Sequence, residues 1–327
     1  MLNYYFNFLG GKFYKYKKNG KILWSLDPIN NKKFSNNFDY KKKQNMVFKS
    51  AEIKYSWELS RLHQIFITSV LHFQTKKFFF LKSFKDQIND FIDNNKVGRS
   101  VAWNNAMECS IRSINLISSL EFIELNTLEK KLSNKIINFL NNNLKYIVEN
   151  LEYSLHVNSN HYLHNIIGLI YLSHFFENKK ILDQSIKEFC NEINIQFSKN
   201  GENFENSFNY HRFNLEGILH VLVLLKSLNI KLNKKTLDKI KKSTHFLFAI
   251  MKQDKTIPII GDNDNGRVLI YSDYFNYFLD DNSSDIACNL ANYFYNENFN
   301  FTNSSSRKNE KKIFKFFNKN KNLSIKN

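Results

Sequence analysis

Two short stretches carry residue types that can do chemistry: Asn160-His161-Tyr162-Leu163 and, about fifty residues later, Ser207-Phe208-Asn209-Tyr210-His211-Arg212. Together they place an amide, imidazoles, a phenol and a guanidinium near two expected helix starts. That set suits removal of a proton beside a carboxylate: amide and guanidinium hold the anion while imidazole and phenol exchange protons. The chemistry points toward an acidic sugar.

Such groups need rigid elements to hold them, and the chain supplies helices. Proline occurs only at positions 28 and 258 and glycine nine times, which leaves long segments with 3.6-residue periodicity. The pattern predicts ten helices, at about 55–74, 77–93, 103–120, 127–153, 160–176, 180–198, 204–228, 234–252, 266–279 and 284–297. Their short connections contain Asn, Gly or Lys, as expected where antiparallel helices follow one another as hairpins. No repeat of solenoid type is visible. The expected fold class is all-α, an incomplete α/α toroid of about five helical hairpins. It occupies 51–298, after an irregular or extended segment over 1–50 and before a polar, basic tail over 299–327, which the reading treats as a truncation point.

The 327 residues are 43% hydrophobic and 16% aromatic, a globular composition with enough chain for a sizeable core. A formal charge of +17 favours polyanionic partners. The same excess also follows from a drift toward Lys, Asn, Ile and Phe, so charge supports a polyanion without selecting one. Cys109, Cys190 and Cys288 are odd in number and widely spaced, without CxxC or Cys/His metal spacing. Neither a metal nor a cofactor is expected. The first residues show no secretory pattern, and apolar runs such as 218–228 are too short to span a bilayer, so no membrane span is expected and the compartment stays unassigned.

Several fragments occur in a telling order. They are Ala51-Glu52-Ile53-Lys54 with Trp57-Glu58-Leu59-Ser60-Arg61, then Trp103 with Met107-Glu108 and Ile111-Arg112, then Asn160-His161-Tyr162-Leu163, Tyr210-His211-Arg212 and Gly261-Asp262-Asn263-Asp264-Asn265-Gly266-Arg267. From about residue 50 to 270 this order resembles the heparinase II/III-like polysaccharide lyases, in their N-terminal α/α toroid. The resemblance implies cleavage of a uronate-containing polysaccharide by β-elimination, leaving an unsaturated uronate. It also implies a β-sandwich after the toroid that often supplies a catalytic His or Tyr. None is expected within these 327 residues, so a separate β-sandwich chain is an expected partner beside the acidic polysaccharide. The alternative is a non-catalytic or split-gene toroid that binds acidic glycan. No nucleic-acid partner is expected.

Each candidate residue has a second reading. Asn160 is a carboxylate neutraliser by the resemblance, or an N-cap by residue type. His161 assists as base or neutraliser, or is structural. Tyr210 is the acid by the resemblance, or a core aromatic, and a neighbouring cation or imidazole would lower its pKa. Trp103, Glu108, Arg112, His211, Arg212 and Arg267 form the expected substrate-binding set. Trp103 equally suits a core. Glu58, Arg61, Glu108 and Arg112 have intrahelical ion-pair spacing, and Arg212 can pair with a helix carboxylate. The loop 261–267 lacks the Glu that ends a calcium loop and is expected to turn tightly and deliver Arg267 to a cleft.

Overall fold

A computed structural model gives the fold, and it describes residues 4–6, 8–9, 12–36, 39, 51–156, 158–270 and 283–295. The chain divides into two compact units, Met1–Glu152 and Tyr153–Asn327. The expected helix over 266–279 is absent at 266–270, where the backbone is irregular, and its remainder lies outside the described residues, as does the tail over 299–327.

The first unit opens with three two-stranded antiparallel ribbons: β1 (Tyr5–Phe6) with β2 (Tyr14–Lys15), β3 (Lys17–Lys18) with β4 (Lys21–Ile22), and β5 (Leu26–Asp27) with β6 (Lys32–Lys33). Tyr16, Trp24 and Leu26 are buried, and Trp24 donates its indole N–H to Asp90 at 2.7 Å. Helices α1 (Lys54–Ser60), α2 (His63–Thr75), α3 (Phe78–Asn94), α4 (Ala106–Leu120) and α5 (Lys130–Glu149) follow. The α2–α3 and α4–α5 hairpins pack through α2 against α4 and α3 against α5. The single helix expected over 55–74 is broken, because Leu62 sits in the left-handed region at φ 64°. A branched residue there costs about 1–3 kcal/mol. Burial of Leu62 and the ion pairs of Arg61 hold it in place.

The second unit contains α6 (Asn160–Phe175), α7 (Lys179–Gln196), α8 (Phe208–Ser227), α9 (Lys234–Ile250) and α10 (Asp285–Tyr295). Here α6–α7 and α8–α9 are the hairpins, with α6 against α8, α7 against α9 and α10 against α8. The hairpins share a sequence logic. Their second helices α5, α7 and α9 each begin Lys-Lys and bury only a stripe, the amphipathic pattern of a surface helix. Helix α4 is buried at all 15 positions, and α6 at all but His161 and His174. Such all-round burial demands small or self-satisfied polar groups. In α4, Ser110, Ser113 and Ser119 donate their hydroxyls to the carbonyls one turn back at 2.7–2.9 Å.

Arginines buried inside the first unit are engaged by the chain's own groups rather than presented. Arg61 donates Nε and Nη2 to the two oxygens of Glu108 at 2.9 Å each, and Glu58 adds a contact at 2.5 Å. Glu108 and Arg112 do not form the pair that their spacing suggests. Arg112 instead donates to Asn143 at 2.8 Å and to the carbonyl of Ala102, with its guanidinium 4.2 Å from the centroid of the Trp103 ring. Trp103 is fully buried and donates its indole N–H to the Asn95 carbonyl at 2.9 Å. Sugar stacking by Trp103 and substrate contact by Glu108 and Arg112 are therefore corrected to scaffold roles.

Removing one partner of a buried ion pair strands the other. Glu108→Ala is expected to cost about 3 kcal/mol, the low end for a broken buried pair because Glu58 still faces Arg61. The check is a urea titration, where the midpoint falls with little change in slope.

Candidate functional site

The candidate site lies in the second unit, where the N-termini of α6 and α8 present their first turns. Ser159 caps α6, its hydroxyl accepting from His161 N–H at 3.3 Å, so Asn160 is the first helical residue and not the N-cap. Asn160 is then free of capping duty. Its backbone N–H donates to Oε1 of Glu205 at 2.6 Å and its Nδ2 donates to Oε2 of the same carboxylate at 2.8 Å. A carboxylate is thus gripped at both oxygens by one residue at the positive end of a helix. One turn on, His164 donates Nδ1 to the Asn160 carbonyl at 2.9 Å and stacks on Phe213 at 4.1 Å.

Two further layers fix this geometry. Behind Ser159, Asn158 donates to Glu192 at 2.9 Å, and Gln196 donates to Glu192 at 2.8 Å and to the Ser159 carbonyl at 3.2 Å. The loop that carries Glu205 is tied by a bridge between Phe197 and Asn203 and by the Asn203 side chain, which accepts from Glu205 N–H at 3.1 Å. Gly201 lets this loop lie against α9: at φ +102°, a Cβ there would stand 2.5 Å from the Lys242 backbone.

Ser207 caps α8, accepting from Tyr210 N–H at 3.1 Å. The segment 260–266 crosses this end: Phe208 N–H donates to the Ile260 carbonyl at 3.0 Å and the Ser207 hydroxyl to the Asp262 carbonyl at 2.5 Å. Gly261, at φ +75°, makes the crossing possible, since a Cβ would stand 2.7 Å from the Asn206 carbonyl oxygen. The crossing brings Asp264 to Tyr210, whose phenol donates to Oδ2 at 2.9 Å. Burial first, then the charge and hydrogen bond of Asp264, then Asp262 and Glu205, push the phenol above its usual pKa near 10. The charges that bear on it are anions and not cations, so the lowering that a neighbouring cation would bring does not occur. Glu205 therefore grips Asn160 and bears electrostatically on Tyr210, linking the two candidates. His161 is half-buried beside Asn160.

The rest of the expected substrate-binding set is elsewhere. His211 is buried, its Nε2 donating to the Ser243 carbonyl at 3.0 Å and its Nδ1 accepting from Asn203 N–H at 3.3 Å. Burial lowers its pKa to about 4, so it is neutral. Arg212 is buried and donates to the carbonyls of Ser283 and Gly266 at 3.2 and 3.3 Å. Arg267 is 4% exposed, paired with Glu216 and donating to the Ser283 carbonyl at 2.6 Å. The loop 261–267 does turn tightly, but it delivers Asp264 to Tyr210 and sends Arg267 inward. Sequence reasoning missed Glu205 and gave Asp264 no role. The only available signal was the position of Asp264 inside a quoted motif. Among the described residues no group of three His, Cys, Asp or Glu side chains is placed to hold a metal, and no helix is long and apolar enough to cross a membrane.

Residues 1–286 match the family described as Heparinase II/III N-terminus. No curated protein sequence matches the chain. Among solved structures, the chain is similar to the heparan sulfate lyase HepC of Pedobacter heparinus, at 18% identity and a TM-score of 0.53 over 79% of this chain and 38% of that one. It is also similar to a heparinase III structure, at 18% identity and a TM-score of 0.55 over 80% of this chain and 37% of that one. The chain thus spans well under half of these neighbours, and the likeness shows the all-α toroid fold.

Two outcomes follow from this geometry. Gly261→Ala is expected to lower the thermal midpoint and to speed amide exchange over 260–266, read by hydrogen-exchange mass spectrometry, because the crossing must open. His211 and His220, neutral by burial with pKa values of about 4 and about 3, give stability that is full above the unfolded value near 6.5 and drains as pH falls. The unfolded chain binds more protons in that window, so the loss approaches ~1.4 kcal/mol per pH unit for each histidine. Urea midpoints measured from pH 7 to pH 4 check it, and His211→Asn should flatten the slope.

Proposed function

This chain belongs to the heparinase II/III family, and from that premise we propose that it is a polysaccharide lyase cleaving a uronate-containing anionic polysaccharide by β-elimination. In this reading the amide of Asn160 and the α6 N-terminus hold the uronate carboxylate and disperse charge as the carbanion forms at C5. His161, half-buried on the next position, takes the C5 proton or helps hold the acid group. The C4–O bond then breaks, its electron pair leaving with the glycosidic oxygen as the C4–C5 double bond forms. Tyr210 gives its proton to that oxygen.

The observation that supports the reading is the hold of Asn160 on both oxygens of one carboxylate, Glu205, whose charge also bears on the Tyr210 phenol. Asn160 already binds a carboxylate through both oxygens. The raised pKa of Tyr210 keeps the phenol protonated at neutral pH, which fits an acid and disfavours a phenolate base. Asp264 then acts as a positioning residue that fixes the phenol.

Glycan binding without cleavage is the second reading. It is favoured by the engagement of both candidate donors with the chain's own carboxylates, Glu205 and Asp264.

Ultraviolet absorbance of the unsaturated uronate, followed on a panel of heparan, hyaluronan, chondroitin, alginate and bacterial capsular glycans, separates the two. The lyase reading expects a rise with at least one glycan, a drop in kcat of about 10²–10⁴ in Tyr210→Phe, and a comparable loss in Asn160→Ala. It also expects no alkaline loss of rate from Tyr210 below about pH 10, the unperturbed phenol value. Full activity in Tyr210→Phe removes its role as acid, and silence on every glycan favours binding alone.

A further inference from the structure

We infer that Glu205 is a specificity-determining residue, a resident carboxylate that must be displaced before Asn160 can accept a ligand, and that it thereby restricts the site to ligands bearing a carboxylate. The inference deepens the lyase reading and rests on it for the identity of the natural ligand, a uronate within a glycan. The gate itself rests on geometry.

Both donors that Asn160 offers at this face, its backbone N–H and an Nδ2 hydrogen, end on the two oxygens of Glu205 at 2.6 and 2.8 Å. Capping does not require this contact, because Ser159 already caps α6. Glu205 comes from a distant loop, beside an exposed Phe204 and a left-handed Asn206 at φ 55°, and its own carboxylate is only half-buried. No ion pair to a cation accompanies it among the described residues, although the chain carries 47 Lys and Arg against 30 Asp and Glu. A structural carboxylate in such a chain would be expected to find a cation. This one is held by hydrogen bonds alone, close enough to Tyr210 to raise its pKa.

Two consequences follow from the chemistry. A ligand that removes Glu205 must satisfy both donors at once, and a planar carboxylate with two acceptor oxygens does this as Glu205 does. A neutral sugar hydroxyl or an ester carbonyl replaces two charge-assisted bonds with weaker ones and loses the exchange, so rejection is built into the resting state. The incoming acid also exchanges one negative charge for another, leaving the charge at the α6 N-terminus unchanged once Glu205 has swung out.

The test uses D-glucuronate as probe, with its methyl ester and D-glucose as controls, titrated by calorimetry into the full chain and its Glu205→Ala, Glu205→Gln, Asn160→Ala and Glu205→Ala/Asn160→Ala variants. Glu205→Ala is expected to bind glucuronate about tenfold more tightly than the unaltered chain, the order of one charge-assisted hydrogen bond net. Glu205→Gln should gain less, the ester and glucose, which no longer face the exchange with Glu205, should gain affinity in Glu205→Ala as well, and the double variant should lose the gain. Unchanged or weaker glucuronate binding in Glu205→Ala, no gain with the ester in that variant, or no binding in any variant overturns the inference. If Glu205→Ala loses its cooperative thermal transition, Glu205→Gln carries the test with the same expected direction. The two readings fail separately. A lyase signal with unchanged glucuronate affinity in Glu205→Ala removes the gate and keeps the enzyme. A tenfold gain with no lyase signal keeps the gate and removes β-elimination.

Discussion

The candidate site depends on one contact, the two hydrogens of Asn160 meeting the two oxygens of Glu205. It joins the first turn of α6 to the loop before α8, and that loop reaches α9 through Gly201 and through His211. The same loop ends in Ser207, which caps α8 and accepts the crossing segment that brings Asp264 to Tyr210. A shift at Glu205 is therefore felt at both donors. The contact is strong because donor and acceptor are well aligned and the acceptor is charged, yet it is replaceable because the carboxylate is only half-buried.

Buried arginines serve a different end. Arg61 with Glu108, and Arg267 with Glu216, each put an ion pair inside a helical unit where a misplaced partner would leave a charge unpaired. Such pairs add little net stability over apolar packing, but removing one partner leaves the other charge buried and unpaired. Arg112 and Arg212 do similar work through carbonyls and rings. Residues whose types suggest anion binding thus hold helices together, and the chemistry of the candidate site falls to amide, imidazole and phenol.

Hairpin order was legible because Pro and Gly are scarce and periodicity is strong, so α3 to α9 lie within a few residues of expectation at either end. The break at Leu62 was not legible, because a buried leucine in the left-handed region is imposed by tertiary contacts that no local pattern records. Asn160 and Tyr210 stood out as polar groups at helix starts. Trp103, Arg112 and Arg267 stood out equally, since residue type says nothing of which way a side chain turns. Glu205 left no trace, because its significance arises only when a loop folds back 45 positions to meet Asn160.

Global and local charge act in opposite senses here. The chain is strongly basic, with Lys234, Lys235 and Lys242 exposed on α9, and such a surface draws polyanions from about a Debye length, ~8 Å at physiological salt. Around Tyr210 the charges are Asp264, Asp262 and Glu205. Long-range attraction raises the local concentration of any polyanion without regard to its acid groups. Local repulsion then taxes every anion that enters, unless the entrant displaces one of the resident acids and leaves the charge balance unchanged. Encounter and selection are so divided between two length scales, and Glu205 is the residue at which the second is decided.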